Sequence, residues 1–342
     1  MTQVRLGKTG IVTDKNGFGA LPIQRISFEE ADALIMQAYE SGMTFFDTAR
    51  FYTDSEEKLG RAFASRGLRD KVYIASKTMC NSVEDFWSHL DTTLKNLQTD
   101  YLDLYQFHNL AFCPKPGDGT GLYEAMLEAK EQGKIRHIGI TNHRIAIAKE
   151  AIESGLYETL QFPFCYLATE AELELVQMCK DADMGFIAMK AMSGGLITRA
   201  EVAYAYLDQY DNVLPIWGVQ RPEELQQFID CGKNPPVLDE EMLNYIQAER
   251  EQLSGEFCRG CGYCMPCPVG IKINDCARMS LMIRRAPIDI YMDEVHQADM
   301  ELIDQCLDCG QCKSKCPYGL DTPNLLKKNL ADYREQVKKL KK

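Results

Sequence analysis

Residues 101–142 read YLDLYQFHNLAFCPKPGDGTGLYEAMLEAKEQGKIRHIGITN, and this stretch decides the fold. It opens with an apolar run (YLDLYQF), passes through a loop into a segment whose apolar residues recur every three or four positions (TGLYEAMLEAKEQG), and closes with a second apolar run (IRHIGI). This order predicts a strand, an amphipathic helix that ends at a glycine, and a second strand parallel to the first.

The same unit repeats between residues 16 and 232. The runs predicted as strands are NGFGAL, MTFFD, VYIAS, YLDLYQF, IRHIGI, LQFPF, GFIAM and NVLPIWGV, with helical patterns such as FEEADALIMQAYESG between them. Eight such repeats in about 220 residues predict a (β/α)₈ TIM barrel, an α/β fold. A doubly wound sheet is the alternative, but it usually has fewer strands, and no GxGxxG follows the first run here. The opening VRLGKTGIVTD is expected to form a hairpin at the bottom of the barrel.

The pattern changes after residue 235. The segment NPPVLDEEMLNYIQAEREQL begins with two prolines and is typical of a linker followed by a capped helix, and almost no strand signal follows it. We therefore predict a barrel domain over residues 1–235 and a small, mostly helical domain over residues 236–342.

Composition and charge exclude several classes of protein. Apolar residues make up 45% of the 342-residue chain and charged residues 26%, which is ordinary for a globular protein with a sizeable core. The formal net charge is −12, without a long basic stripe, so nucleic acid is not an expected partner. No secretory leader and no run of 18 apolar residues is found, so we expect a cytoplasmic protein that does not span a membrane.

Polar residues follow several of the predicted barrel strands, at the end where barrels carry their functional groups. These residues are Asp47, Tyr52, Lys77, His108, Thr141, Asn142 and Gln161. Taken singly, an Asp, Tyr or His in such a place is often a cap or a packing residue, but a buried Lys requires a counter-charge. A Lys held by an Asp lowers the pKa of a neighbouring Tyr from its usual value near 10, so that the phenol can exchange a proton with a substrate.

The segments FFDTARFY, IASK, DYLDLYQFH, GITNH and PIWGVQRPEELQQ resemble the aldo-keto reductase superfamily, in order over about residues 1–232. The resemblance implies an enzyme in which Tyr52 protonates the substrate carbonyl while a nicotinamide supplies hydride. It also implies that Lys77 and Asp47 tune the phenol and that His108 binds or polarises the carbonyl oxygen. The residues that it implies for the cofactor site are Thr141, Asn142, Gln161, Arg221 and Glu224, of which Asn142 and Gln161 match those that hold the nicotinamide carboxamide.

Several positions depart from the family pattern. Met189 and Lys190 stand where many members place an aromatic residue that stacks on the nicotinamide. Glu224 and Phe228 stand where members that prefer the phosphorylated cofactor often have Arg and Asn, while Arg221 is a candidate for contact with a 2′-phosphate. NADP and NAD are therefore both compatible with the sequence.

Fourteen cysteines are present, and nine of them lie in the last 85 residues. Eight form two groups, Cys258-RG-Cys261-GY-Cys264-MP-Cys267-Pro and Cys306-LD-Cys309-GQ-Cys312-KSK-Cys316-Pro. Two-residue gaps let three thiolates of one loop reach three corners of a cubane, and the distal Cys-Pro then ligates the other cluster. This predicts two [4Fe–4S] clusters: cluster one held by Cys258, Cys261, Cys264 and Cys316, and cluster two held by Cys306, Cys309, Cys312 and Cys267. Paired zinc sites are the alternative, but they explain the triple runs and Cys-Pro ends poorly.

The second domain resembles an α-helical ferredoxin, as appended to a branch of aldo-keto reductases found in anaerobes. The remaining thiols, including Cys276, are expected to be ordinary packing residues.

The two parts suggest two functions. The leading hypothesis is an NAD(P)-dependent oxidoreductase that reduces a small carbonyl compound to an alcohol, or the reverse, with clusters that are structural or serve a redox partner protein at the cysteine domain. A nicotinamide transfers electron pairs and each cluster takes one electron, so joining them needs a converter such as a flavin, for which no motif is found. The alternative is an iron–sulfur electron-transfer protein on a barrel scaffold, with nicotinamide catalysis lost or secondary. No oligomeric state is predicted.

Overall fold

The structure, a computed structural model, describes residues 2–253, 257–285 and 288–340, without the side chain of residue 289. Contacts between residues divide the chain into two compact units. The first comprises Met1–Met192 and Arg199–Leu243, and the second comprises Ser193–Thr198 and Asn244–Lys342. A short segment from within the barrel sequence is thus grouped with the cysteine-bearing unit.

The first unit contains the strands of the described chain. In chain order they are β1 Gln3–Arg5, β2 Val12–Asp14, β3 Gly17–Gly19, β4 Phe45–Asp47, β5 Tyr73–Thr78, β6 Leu102–His108, β7 Ile135–Thr141, β8 Thr159–Pro163, β9 Gly185–Met189 and β10 Val213–Gly218. Strands β3 to β10 pair in parallel, each with the next along the chain, and β10 pairs with β3 to close the barrel. The predicted (β/α)₈ barrel is confirmed, and all eight strands fall on the apolar runs.

Helices alternate with the barrel strands. They are α1 Phe28–Glu40, α2 Ser55–Ala64, α3 Val83–Leu97, α4 Leu122–Glu131, α5 Ile145–Ser154, α6 Glu170–Asp181, α7 Ala200–Asp208 and α8 Pro222–Lys233. Caps determine where several of them begin: at α1, Ser27 Oγ accepts the Glu30 N–H at 3.1 Å while the Glu30 carboxylate accepts the Ser27 N–H at 2.8 Å. Such reciprocal bonds satisfy backbone donors that the first helical turn leaves without partners.

The N-terminal hairpin closes the bottom of the barrel, as predicted. Strands β1 and β2 are antiparallel, and Gly7 bridges to Met184 immediately before β9. Hairpin and barrel strands share one buried apolar cluster, formed by Val4, Leu6, Ile11, Phe45, Ala75, Leu104, Ile187, Leu214 and Ile216. The opposite end of the barrel, where the strands finish, is left for functional side chains.

The second unit is helical in its described residues. Its elements are α9 Glu240–Gln252, which crosses the division at residue 243, and α10 Ile273–Cys276, α11 Met279–Arg285, α12 Glu294–Glu301, α13 Gln311–Lys315 and α14 Thr322–Leu340. Asn329 on α14 accepts the Ser280 N–H at 2.8 Å and donates to the Ala277 carbonyl at 3.2 Å, which fastens α14 to the α10–α11 segment. Among the described helices of both units, none is long and apolar enough to cross a membrane.

Candidate functional site

A buried ion pair lies at the C-terminal end of β4 and β5. Lys77 Nζ donates to Asp47 Oδ2 at 2.7 Å and to the Thr48 carbonyl at 2.6 Å, and both charged side chains are almost fully buried. Burial lowers the pKa of Lys77, and the Asp47 charge opposes that shift. Burial likewise raises the pKa of Asp47, opposed by Lys77 and by a hydrogen bond from Gln161. The pair holds the ammonium in one position without access to bulk water.

The loop between β4 and α2 places Tyr52 beside this ammonium. Backbone bonds hold the loop, because the Arg50 N–H donates to the Lys77 carbonyl at 3.1 Å and the Tyr52 N–H donates to the Ala49 carbonyl at 3.0 Å. Lys77 Nζ lies 5.3 Å from the centroid of the Tyr52 ring. Tyr52 is half-buried, so its phenol combines a nearby cation with partial access from the barrel mouth.

His108 ends β6 and completes the group. Its ring lies 6.0 Å from the Tyr52 ring, centroid to centroid, with the two planes at 84°. Burial, with a smaller contribution from Lys77, lowers the pKa of His108 to about 3. The imidazole is therefore neutral at physiological pH. The structure brings all four predicted catalytic residues, Asp47, Tyr52, Lys77 and His108, to one mouth of the barrel.

Sequence reasoning missed Glu56, which supports the Tyr52 loop. This buried carboxylate on α2 pairs with Arg50 and accepts the hydroxyls of Ser76 and Thr93, each at 2.8 Å. It joins the loop that carries Tyr52 to β5 and α3. The segment SEEKLG is typical of a solvated helix start, so no signal in the sequence distinguishes Glu56 from its neighbours.

The predicted nicotinamide residues lie near the ion pair, but their polar groups face the protein. In register, Gln161 stands beside Thr141. Gln161 Nε2 donates to Asp47 Oδ2 at 3.3 Å and its Oε1 accepts from Gln106 at 2.7 Å, while Thr141 Oγ1 donates to Met189 Sδ at 3.8 Å. Gln161 therefore fixes the orientation of Asp47 in this structure, and its contact with a carboxamide stays a prediction.

Asn142 shapes the loop that follows β7. Its Nδ2 donates to the Leu110 carbonyl at 2.9 Å, and its Oδ1 accepts the N–H groups of His143 and Arg144, each at 2.9 Å. The side chain is fully buried. Its predicted contact with the cofactor likewise remains a prediction.

Glu224 and Arg221 form a closed pair at the start of α8. The Glu224 carboxylate accepts the N–H groups of Gln220 and Arg221 at 3.0 and 3.2 Å, and it accepts Arg221 Nε at 2.9 Å. Glu224 thus caps the helix and pairs with Arg221, the candidate for contact with a 2′-phosphate. Phe228, farther along α8, is a core residue, since its ring is buried and stacks on Trp217 at 4.2 Å.

Eight of the nine cysteines of the second unit line two pockets. One is lined by Cys258, Cys261, Cys264 and Cys316, together with Tyr318, Leu320 and Leu325. The other is lined by Cys267, Cys306, Cys309 and Cys312, with Cys264 between the two. Each set of four predicted from the Cys-Pro rule therefore meets around one space, and each combines three cysteines of one loop with the distal cysteine of the other.

The donor chemistry of these pockets suits an iron–sulfur cluster. The donors are thiols, which bind iron–sulfur clusters and zinc. Across residues 257–285 and 288–340, no three or more His, Cys, Asp or Glu side chains are placed to hold a single metal ion. Burial raises the pKa of the Cys258 thiol, and the Gly260 N–H, which donates to Cys258 Sγ at 3.4 Å, opposes that shift. Cys276, in contrast, is buried in the apolar core and donates to the Asp299 carbonyl at 3.6 Å.

These features define an oxidoreductase built on a parallel barrel, with a separate cysteine-rich unit. A family model described as "Aldo/keto reductase family" matches residues 15–202, and one described as "4Fe-4S dicluster domain" matches residues 257–321. The chain belongs to the aldo/keto reductase family and carries a dicluster domain after the barrel.

Three curated relatives match between 37% and 58% of the chain. L-galactose dehydrogenase of Arabidopsis thaliana is 27% identical over 221 residues, covering 58% of this chain and 69% of the relative. Aldo-keto reductase YhdN of Bacillus subtilis is 30% identical over 218 residues, covering 58% and 64%. Methylglyoxal reductase DkgB of Salmonella typhi is 37% identical over 134 residues, covering 37% and 48%. The chain thus spans from about half to about two thirds of the length of these relatives.

Solved structures show the same barrel. Aldo-keto reductase AKR11C1 from Bacillus halodurans, in its holo form, superposes with a TM-score of 0.63 at 21% identity, covering 73% of this chain and 96% of that one. An aldo-keto reductase from Klebsiella pneumoniae in complex with NADPH superposes with a TM-score of 0.62 at 23% identity, covering 72% and 94%. At these identities the likeness concerns the fold.

Proposed function

We propose that the barrel unit catalyses the nicotinamide-dependent reduction of a small aldehyde or ketone to an alcohol, or the reverse reaction, with Tyr52 as the proton donor. The observation that carries this proposal is the Lys77 ammonium, fixed between Asp47 and the Thr48 carbonyl and 5.3 Å from the Tyr52 ring. The nicotinamide, when bound, supplies the hydride.

Side chains of the barrel supply the proton and stabilise the charge that develops during the reaction. As Tyr52 passes its proton to the carbonyl oxygen, negative charge develops on the phenol, and the Lys77 ammonium stabilises it. Neutral His108 donates a hydrogen bond to the same oxygen from the ring nitrogen that carries its proton. Asp47, held in turn by Gln161, keeps the ammonium in place.

Tyr52→Phe tests the assignment. Removal of the phenolic proton is expected to lower kcat by about 10²–10⁴-fold, the usual contribution of a general acid, with a smaller change in the binding of the dinucleotide. The measurement is an anaerobic screen of small aldehydes and ketones, in which oxidation of NADPH or NADH is followed by absorbance. Tyr39→Phe on α1 is the matched control and should turn over like the parent. A Tyr52→Phe enzyme as fast as the parent would remove Tyr52 from the mechanism.

We further propose that the second unit binds two [4Fe–4S] clusters, cluster one through Cys258, Cys261, Cys264 and Cys316 and cluster two through Cys306, Cys309, Cys312 and Cys267. The two pockets that these thiols line support this assignment. Protein purified without oxygen should contain about eight iron and eight sulfide per chain. Two zinc ions without sulfide would contradict it, and flavin analysis of the same sample tests for an electron-pair converter.

A second candidate function is electron transfer by the clusters, to a redox partner protein at the cysteine unit, with nicotinamide catalysis lost or secondary. The Arg221–Glu224 pair favours it, because among the described residues at the start of α8 the cation, Arg221, is already paired with a carboxylate. Titration of anaerobic protein with NADPH and NADH separates the two functions. Binding of either dinucleotide supports the reductase, whereas binding of neither supports electron transfer alone.

A further inference from the structure

Arg278 is a buried cation in the segment between α10 and α11. Only 8% of the residue is exposed. Its guanidinium donates to the Gly194 carbonyl and contacts Met282 Sδ. Among the described residues, no carboxylate forms an ion pair with it, whereas Arg284 and Arg285 on α11 both have one. Since a buried charge without a counter-charge costs several kcal/mol, an anion in direct contact with this guanidinium would offset a cost that no paired carboxylate of the described residues offsets.

The position of the guanidinium shows where that anion belongs. Gly260 has φ +62°, and a Cβ there would overlap Nη1 of Arg278. Gly194 has φ +64°, and a Cβ there would come within 3.1 Å of the same nitrogen. Two glycines therefore leave room for the guanidinium. One of them, Gly260, lies between Cys258 and Cys261 and donates its N–H to Cys258 Sγ. Arg278 thus lies directly behind the first cysteine loop.

Burial lowers the pKa of Arg278, and the nearby Cys258, Asp275 and Tyr291 oppose that shift, Cys258 the most. Asp275 forms no ion pair with Arg278, and its carboxylate accepts a hydrogen bond from Asn274 at 3.0 Å. Cys258 is the predicted thiolate ligand of cluster one. Four thiolates around an oxidised [4Fe–4S] core leave about two negative charges, and one-electron reduction adds a third. The cluster would be the missing anion.

The two cluster pockets differ in this respect. Among the described residues, the pocket of cluster two is lined by apolar side chains, glycine, glutamine and cysteine, with no Lys or Arg. Lys327 lies near Cys306 of this pocket, but it is exposed and paired with Asp308 at 2.7 Å. The pocket of cluster one has Arg259 in its lining and Arg278 behind its cysteine loop. A nearby cation stabilises the reduced, more negative form of a cluster more than the oxidised form, so it raises the reduction potential.

We propose that Arg278 is the counter-ion of cluster one and that it raises the reduction potential of this cluster alone. The inference rests on the proposed binding of two clusters. It makes the two clusters electrostatically different, with Arg278 acting through charge and not as a ligand.

The test uses the full chain, purified without oxygen and titrated with dithionite while EPR follows the reduced clusters. Arg278→Gln is expected to shift one of the two midpoint potentials to a more negative value. The ratio of reduced to oxidised cluster at a fixed potential should fall about tenfold, which is about 59 mV for a one-electron couple. The other potential should not move. Arg284→Gln is the matched control, because it removes the same charge from a neighbouring but exposed site, and it should move neither potential. Arg278→Lys keeps the charge and should stay near the parent.

Iron and sulfide analysis separates the ways in which this can fail. Parent protein without clusters would overturn the cluster proposal and this inference with it. Parent protein with eight irons and an Arg278→Gln variant with both potentials unchanged would overturn only the role of Arg278. If Arg278→Gln does not retain iron, Arg278→Lys decides: retention of iron in the Lys variant supports a counter-charge, and loss in both variants indicates a packing role.

Discussion

At the scale of single residues, the Lys77 ammonium is the group around which the candidate active site is arranged. It has one carboxylate partner, Asp47, and one carbonyl partner, and it is inaccessible to water. A lysine in that position cannot be exchanged for a neutral residue without leaving Asp47 buried and unpaired. Lys77 therefore contributes both to the stability of the barrel and to the proposed chemistry at Tyr52. Denaturation measures the first contribution, and the rate of carbonyl reduction measures the second.

Lys77→Met is expected to lower the free energy of unfolding of the barrel by about 3–5 kcal/mol, because it breaks a buried pair and leaves one charge uncompensated. Urea denaturation followed by circular dichroism measures this change. Lys71→Met removes an exposed lysine, whose pairing with Asp70 lies at the surface, and should change stability by less than about 1 kcal/mol. A Lys77→Met protein as stable as the Lys71→Met protein would show that the buried pair contributes little.

His108 gives a prediction about pH. With a pKa lowered to about 3 by burial and by Lys77, its ring should not titrate between pH 5 and 8. In the unfolded chain a histidine titrates near pH 6.5, so folding is weakened as the pH falls below about 6.5 toward 3, because protonation then favours the unfolded chain. NMR of the histidine rings as a function of pH measures whether His108 titrates in the folded protein. His108→Asn identifies the signal among the five histidines, and a His108 ring that titrates near pH 6.5 would contradict the assignment.

At the scale of elements, the sequence predicts what periodicity and capping determine. The α1 pattern FEEADALIMQAYESG is found as a helix over Phe28–Glu40, and its capping box uses Ser27 and Glu30, both visible in the sequence. The four catalytic residues Asp47, Tyr52, Lys77 and His108 could be predicted too, because they lie at or shortly after the C-terminal ends of buried strands. The role of Glu56 and the pairing of Glu224 with Arg221 could not be predicted. These contacts depend on the conformation of the loop that precedes each helix, which places Arg50 and Arg221 beside carboxylates of the first helical turn. Phe228 likewise acquires its partner, Trp217, only from packing between α8 and β10.

The start of α8 offers a test of cofactor choice. Glu224→Gln keeps an acceptor for the helix cap but removes the charge that neutralises Arg221, so the guanidinium becomes available to a 2′-phosphate. An exposed pair of this kind is worth about 0.2–1 kcal/mol, so the affinity for NADPH relative to NADH is expected to rise by about 1.4-fold to fivefold. Equilibrium titration followed by nicotinamide fluorescence measures both affinities. Glu223→Gln removes the preceding, more exposed charge and should leave the ratio near that of the parent. An unchanged ratio in Glu224→Gln would exclude Arg221 from phosphate contact.

At the scale of the whole molecule, each unit has a hydrophobic core of its own, and the two cores are built differently. The barrel core consists of side chains from strands and surrounding helices. The core of the second unit includes four cysteines, Cys258, Cys264, Cys276 and Cys312, of which three are predicted cluster ligands. A small unit whose core borders two cofactor pockets gains folding free energy from the cofactors themselves, because groups that bind only the folded state stabilise it.

Removal of iron should therefore loosen the second unit selectively. Hydrogen–deuterium exchange read by mass spectrometry is expected to show faster exchange in peptides from residues 257–285 and 302–330 after chelation, with peptides from β5 and β6 as the internal reference. Cys309→Ser should lose about four irons and show part of this effect, because it removes one ligand of cluster two. Cys276→Ser is the matched control, since Cys276 is a buried thiol outside both predicted ligand sets, and it should retain about eight irons. Iron loss in Cys276→Ser but not in Cys309→Ser would show that Cys276 is a ligand and Cys309 a packing residue. Equal hydrogen exchange before and after chelation would show that the helical unit folds without its clusters.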